Sequence, residues 1–181
     1  MTIAAMTLAT LDPGECRTLA DFSSEAEVER WQVVNDGVMG GLSRGRIAPQ
    51  DEAMRFWGSI NTNGGGFSSI RHRLDRGELD GASHVRVTMQ GDGRAYQLSL
   101  RSNASMFGRS VAYRGTLTPD GEGEWKVATV ALADLEPSIF GRRVPAGPFD
   151  PAAARSIGFI LADGKDGAFD MRVRRIEACS G

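Results

Sequence analysis

Long stretches of this chain alternate apolar and polar side chains one by one. A period of two confines each stretch to an extended strand with one face buried. In SHVRVTMQ, Val85, Val87 and Met89 share one face, and Arg86, Thr88 and Gln90 share the other. RAYQLSLR sets Tyr96, Leu98 and Leu100 against Gln97, Ser99 and Arg101. The same alternation groups Met54, Phe56 and Ile60, then Ile157, Phe159 and Leu161, then Phe169, Met171 and Val173. Further strands are expected near Cys16–Phe22, Trp31–Asn35, Leu42–Ile47, Phe67–Arg73, Ser110–Thr116 and Glu124–Leu132. Gly91-Asp92-Gly93 reads as a tight hairpin turn, and Asp163 to Gly167 as another turn. Helical signals are sparse: Ser24 to about Arg30, where serines precede acidic residues, and a turn within Ala133 to Phe140. About ten short strands, glycine-rich turns and at most one or two short helices imply an all-β fold, a two-sheet antiparallel β-sandwich or a barrel. The connections are too short for the crossover helices of a parallel sheet.

The length of 181 residues suits a single domain spanning 1–181. Residues 1–15 read as a poorly ordered N-terminal segment and 16–178 as the sandwich. A formal net charge of -2 argues against nucleic-acid binding. The start, MTIAAMTLATLDPGE, lacks the basic region of a signal peptide and the arginines of a transit peptide. No apolar run approaches the roughly 18 residues of a membrane span, so no membrane insertion and a cytoplasmic location are expected. Cys16 and Cys179 read as two inert thiols, with a bridge between the chain ends as the alternative.

VNDGVMGGLS, Val34 to Ser43, is the first of two glycine stretches. It lacks the lysine and the following helix of a phosphate loop, and its spacing does not fit a dinucleotide fingerprint. It reads as a wide corner in which Gly37, Gly40 and Gly41 supply backbone freedom while Asn35 and Asp36 bond local amides. The second stretch, NTNGGGFSSIR, carries Gly64, Gly65 and Gly66. It reads either as a hairpin tip or as a place where backbone approaches a ligand. In the latter case Asn61, Asn63, Ser68, Ser69 and Arg71 would supply hydrogen bonds and Phe67 an apolar wall.

These residues also match a known pattern. Trp31 followed by VNDGVMGGLS resembles the signature of the complex I intermediate-associated protein family. NGGGFSSIR (Asn63 to Arg71) is similar to that family's second block, and GDGRAY (Gly91 to Tyr96) to its third. Trp125, Gly141-Arg142, SIGF (Ser156 to Phe159) and DGKDGAF (Asp163 to Phe169) fit its C-terminal half. The resemblance covers roughly Phe22 to Ile176. It implies a galactose-binding-domain-like jelly roll, of the bacterial type, and a non-catalytic, chaperone-like part in assembling respiratory complex I. The implied partners are complex I subunits or assembly factors. The fold's kinship with carbohydrate-binding modules implies a sugar or small polar ligand as the alternative.

No catalytic group stands out. His72 and His84 read as surface or edge residues, no Gly-x-Ser-x-Gly elbow occurs, and neither cysteine has activating neighbours. An enzyme of unrecognised type is the remaining alternative. No cofactor and no metal are expected; the loop from Asp163 to Gly167 resembles a calcium loop only loosely. Arg71, Arg86, Arg101, Arg172 and Arg174 fall on outward strand faces, which reads as a solvated sheet or as a surface for carboxylate and phosphate. Trp31 and Trp125 are expected in the core, and Trp57, out of phase with Phe56, on the surface. The candidate binding surface is therefore Asn35, Asp36, Ser43, Asn61, Asn63, Phe67, Ser69 and Arg71, with Arg94, Tyr96 and Arg101 nearby. The two glycine loops are expected to meet at one side of the sandwich.

Overall fold

The computed structural model describes residues 11–117 and 123–181; the expected loose segment 1–15 lies outside them as far as residue 10. In chain order the strands are β1 (Cys16–Asp21), β2 (Gln32–Asn35), β3 (Arg44–Pro49), β4 (Met54–Ile60), β5 (Ser68–Arg73), β6 (His84–Gln90), β7 (Tyr96–Met106), β8 (Arg109–Thr116), β9 (Lys126–Ala131), β10 (Glu136–Ile139), β11 (Arg142–Arg143), β12 (Ser156–Leu161) and β13 (Gly167–Cys179). One α-helix, α1 (Glu25–Glu29), joins β1 to β2. The strands form two antiparallel sheets, one of six strands with the order β3-β4-β13-β6-β9 and β1 also on β13, the other of seven with the order β11-β10-β8-β7-β12-β5-β2. The fold is the expected all-β sandwich. The short β10 and β11 are among the strands beyond the roughly ten read from the sequence.

The period-two strands bury the faces that their alternation marks. Met54, Phe56, Val85, Val87, Leu98, Leu100, Phe159, Met171 and Val173 are all sealed between the sheets. Trp31 lies in this core, stacked 5.8 Å from Phe159 and 5.6 Å from His72. His72 is therefore a core residue and not the surface residue expected; its Nδ1 lies 3.2 Å from the Arg30 carbonyl. Trp125 departs in the opposite direction. It stands half-buried before β9, with the Arg174 guanidinium 4.1 Å over its ring. Trp57 is half-buried on the outer face of its sheet beneath Arg55.

Three local expectations are corrected. Gly91-Asp92-Gly93 does not close a hairpin: β6 and β7 belong to different sheets, and the turn carries the chain across the sandwich. Within Ala133 to Phe140 a single 3-10 turn, Leu132–Asp134, gives way to strand β10. Cys16 and Cys179 are not inert thiols; they are directly opposite in the β1–β13 ladder and form a disulfide.

Among the connections described throughout, four at one end of the sandwich pass from sheet to sheet: β2 to β3, β4 to β5, β6 to β7 and β12 to β13. This end gathers the glycine stretches.

Candidate functional site

Asp36 is the hub of that end. It opens a 3-10 turn, Asp36–Met39, directly after β2 and is wholly buried. Its Oδ1 accepts the Ser43 amide at 2.9 Å, and its Oδ2 accepts the Ser43 hydroxyl at 2.6 Å, the Gly66 amide at 2.6 Å and the Phe67 amide at 3.2 Å. Burial works to raise its pKa, but these donors outweigh it and hold the carboxyl below its ordinary value. One charged side chain thus fastens both glycine loops to each other. The glycines let it fit: a Cβ on Gly41 or Gly65 would fall inside the Asp36 carboxylate. Gly40 and Gly64 serve instead by positive φ, +86° and +77°. Gly66 has φ +127°, while Gly37 has neither constraint.

Asn35, the preceding residue, ties the same corner from the core side. Its Oδ1 accepts the Gly45 amide at 2.9 Å and the Ser68 hydroxyl at 2.7 Å. The Asn61 amide donates to Ser43 Oγ at 3.0 Å. The next loop is fastened in turn, with the Thr62 amide donating to Asp166 at 2.6 Å.

Arg94 forms the last brace. It meets Asp163 at 2.6 Å, and its remaining N–H groups reach the carbonyls of Lys165, Gly167 and Ala168. Desolvation would raise the Asp163 pKa, but Arg94 and the Lys165 amide hold it low. Asp92, which sequence reasoning missed, accepts from the Arg94 amide, the Tyr96 hydroxyl and the Asp170 amide. Its place in a Gly-Asp-Gly turn was the available signal, because Asp in turns bonds amides two residues on.

The candidate residues therefore separate. Asn35, Asp36, Ser43 and Asn61 are joined in the brace; Asp36 and Ser43 are buried and present nothing to a partner. Tyr96 is also no surface residue. It lies fully in the core, its phenol pKa raised first by burial and then by Asp92. Arg94 spends its guanidinium on the 163–168 loop and does not offer it outward. Asn63 is exposed and Phe67 half-buried at the loop end. Ser69, Arg71 and Arg101 lie elsewhere, on the outer face of the seven-stranded sheet. At the loop end the large apolar side chains Val38, Met39 and Leu42, which the sequence did not single out, are 77%, 56% and 53% exposed.

Among the described residues no three His, Cys, Asp or Glu side chains gather to hold a metal ion. No described helix is long and apolar enough to cross a membrane.

The architecture is similar to solved carbohydrate-binding modules. The family 11 module of the cellulosomal cellulase Lic26A-Cel5E of Clostridium thermocellum shares 16% identity at a TM-score of 0.71, covering 94% of this chain and 97% of that one. The Clostridium thermocellum family 11 module in complex with a β-1,3-1,4-mixed-linked tetrasaccharide gives 18% identity and a TM-score of 0.69, with 94% and 98% covered. At these identities the likeness speaks for the fold alone. No curated protein sequence matches the chain. The sequence pattern of Complex I intermediate-associated protein 30 (CIA30) matches residues 20–173. That span is most of the sandwich and includes both glycine loops, so the chain belongs to the CIA30 family.

Proposed function

We propose that this protein is a non-catalytic binding factor that docks a protein partner through its braced loop end, in the manner of an assembly factor for respiratory complex I. The observation that carries this reading is the exposure of Val38, Met39 and Leu42 on a loop whose base is fixed by Asp36. Three apolar side chains held toward water on a rigid support favour burial by a partner surface, with little ordering entropy lost on docking. Membership of a family described as complex I intermediate-associated supports a respiratory partner.

Affinity capture from a native extract containing solubilised membranes tests the proposal, with the wild type compared against Met39→Asp. Met39 is exposed, so the variant is expected to unfold at the wild-type temperature. Respiratory-chain subunits should be retained by the wild type and lost by the variant. Equal retention by both, or no retained protein together with a thermal shift on a glycan panel, would overturn the reading and favour the carbohydrate alternative. The cytoplasmic location expected from the sequence competes with the Cys16–Cys179 bridge, which suits an oxidising compartment; thiol trapping in intact cells decides between them.

A further inference from the structure

The outer face of the seven-stranded sheet is a different surface from the loop end. Ladder register defines two adjacent rows across it. The first runs Glu136, Arg114, Ser99, Gly158, Arg71, Gln32. The second runs Ala112, Arg101, Ser156, Arg73. Four arginines thus stand around a floor of small side chains, with Gly158, itself buried, at its centre. Arg101 and Arg114, both half-buried, lack the acidic partners that such groups ordinarily find. Among the described residues no carboxylate lies within ion-pair distance of Arg71, Arg73, Arg101 or Arg114. Glu136 faces Arg114 in register but pairs with Arg143 at 3.4 Å. Arg101 has one long hydrogen bond, to the Ser110 carbonyl at 3.4 Å. The Arg114 Nε is buried with no hydrogen-bond partner. Burial and then the neighbouring cation lower the pKa of both: Arg71 acts on Arg101, and Arg101 on Arg114. A fold that crowds like charges and leaves a buried donor orphaned carries a local cost, and an anionic ligand would offset it.

We propose that this face binds an acidic segment of a partner polypeptide in extended conformation, its Asp and Glu side chains engaging Arg71, Arg101 and Arg114. The spacing fits such a ligand. Arg114 and Arg71 lie three strand spacings apart, about 14 Å, too far for one small anion to bridge. Diagonal neighbours such as Arg101 and Arg114 sit about 7–8 Å apart at their backbones. Alternate side chains of an extended peptide repeat at about 6.8 Å. No aromatic side chain projects from either row, so neither row offers a ring on which a neutral sugar could stack. The anionic character stands on the arginines alone; the choice of a polypeptide rests on the function proposed above.

The probe is a fluorescein-labelled Glu-Ser repeat peptide of eight residues, read by anisotropy. Its Gln-Ser counterpart, inorganic phosphate and an oligogalacturonate serve as comparison ligands. The wild type should bind the Glu-Ser peptide, more weakly as salt rises, and bind the Gln-Ser peptide at least tenfold less well. Arg101→Met/Arg114→Met should lose at least tenfold in affinity while its melting temperature stays level or rises, because like charges have been removed. Absence of peptide binding, equal binding of the Gln-Ser peptide, equal binding by the double variant, or preference for phosphate or oligogalacturonate would each overturn the proposal. The two readings fail separately: a protein that captures its partner through Met39 but ignores the acidic peptide loses this inference and keeps its function. One that binds the peptide but captures nothing shows the reverse.

Discussion

Asp36 keeps its charge without access to water because donors from three residues surround it. Its folded-state pKa is depressed, so its stabilising contribution is present above the unfolded value of about 3.9 and is lost as pH falls through the folded one. Asp36→Asn would turn an NH2 group toward amide donors. A loss of about 2–4 kcal/mol at pH 7 is expected, narrowing as the pH drops below about 4, and urea denaturation at pH 7 and pH 3 measures both. Arg94→Met would strand Asp163, whose side chain is 5% exposed. It should cost about 3–5 kcal/mol in thermal unfolding with no change in affinity for the acidic peptide. The sequence singled out Asn35 and Asp36 as ties for a glycine corner. It could not show that the amides Asp36 holds include those of Gly66 and Phe67, 30 and 31 positions away, because local turn chemistry does not say which strand ends meet.

At the scale of elements, the two glycine loops behave as one unit. Gly41→Ala and Gly65→Ala should each cost about 2–4 kcal/mol, since the new methyl group meets the buried carboxylate, whereas Gly37→Ala should stay within about 0.5 kcal/mol. Combining Gly41→Ala with Asp36→Asn should cost less than the sum of the two, because both break the same contact, and equilibrium denaturation of the double variant checks this. Strand periodicity was the legible part of the sequence. β6, β7 and β13 bury the faces that their alternation names. Sheet membership was not legible: a Gly-Asp-Gly turn can close a hairpin or cross a sandwich, and here it crosses. Tyr96 shows the tension within one residue. Its alternation with Leu98 and Leu100 marks the core, although it also stood near the candidate binding surface, and packing prevailed. Arg114 escaped notice because its strand, RSVAYRGT, buries Ala112 on the same outer face and so blurs the alternation.

For the whole molecule, the Cys16–Cys179 bridge closes nearly the entire chain, with a sequence separation of 163. Restricting so long a loop in the unfolded state stabilises the fold by up to about 5 kcal/mol. Cys16→Ser/Cys179→Ser should therefore unfold at lower urea, and dithiothreitol should shift the wild type toward the variant while leaving the variant unmoved. The bridge lies where β13 ends, and the glycine loops lie where β13 begins. Thirteen residues of strand separate the two poles, about 40 Å. A polypeptide fused after Gly181 leaves from the bridged pole, so a tether there would keep the opposite tip unobstructed.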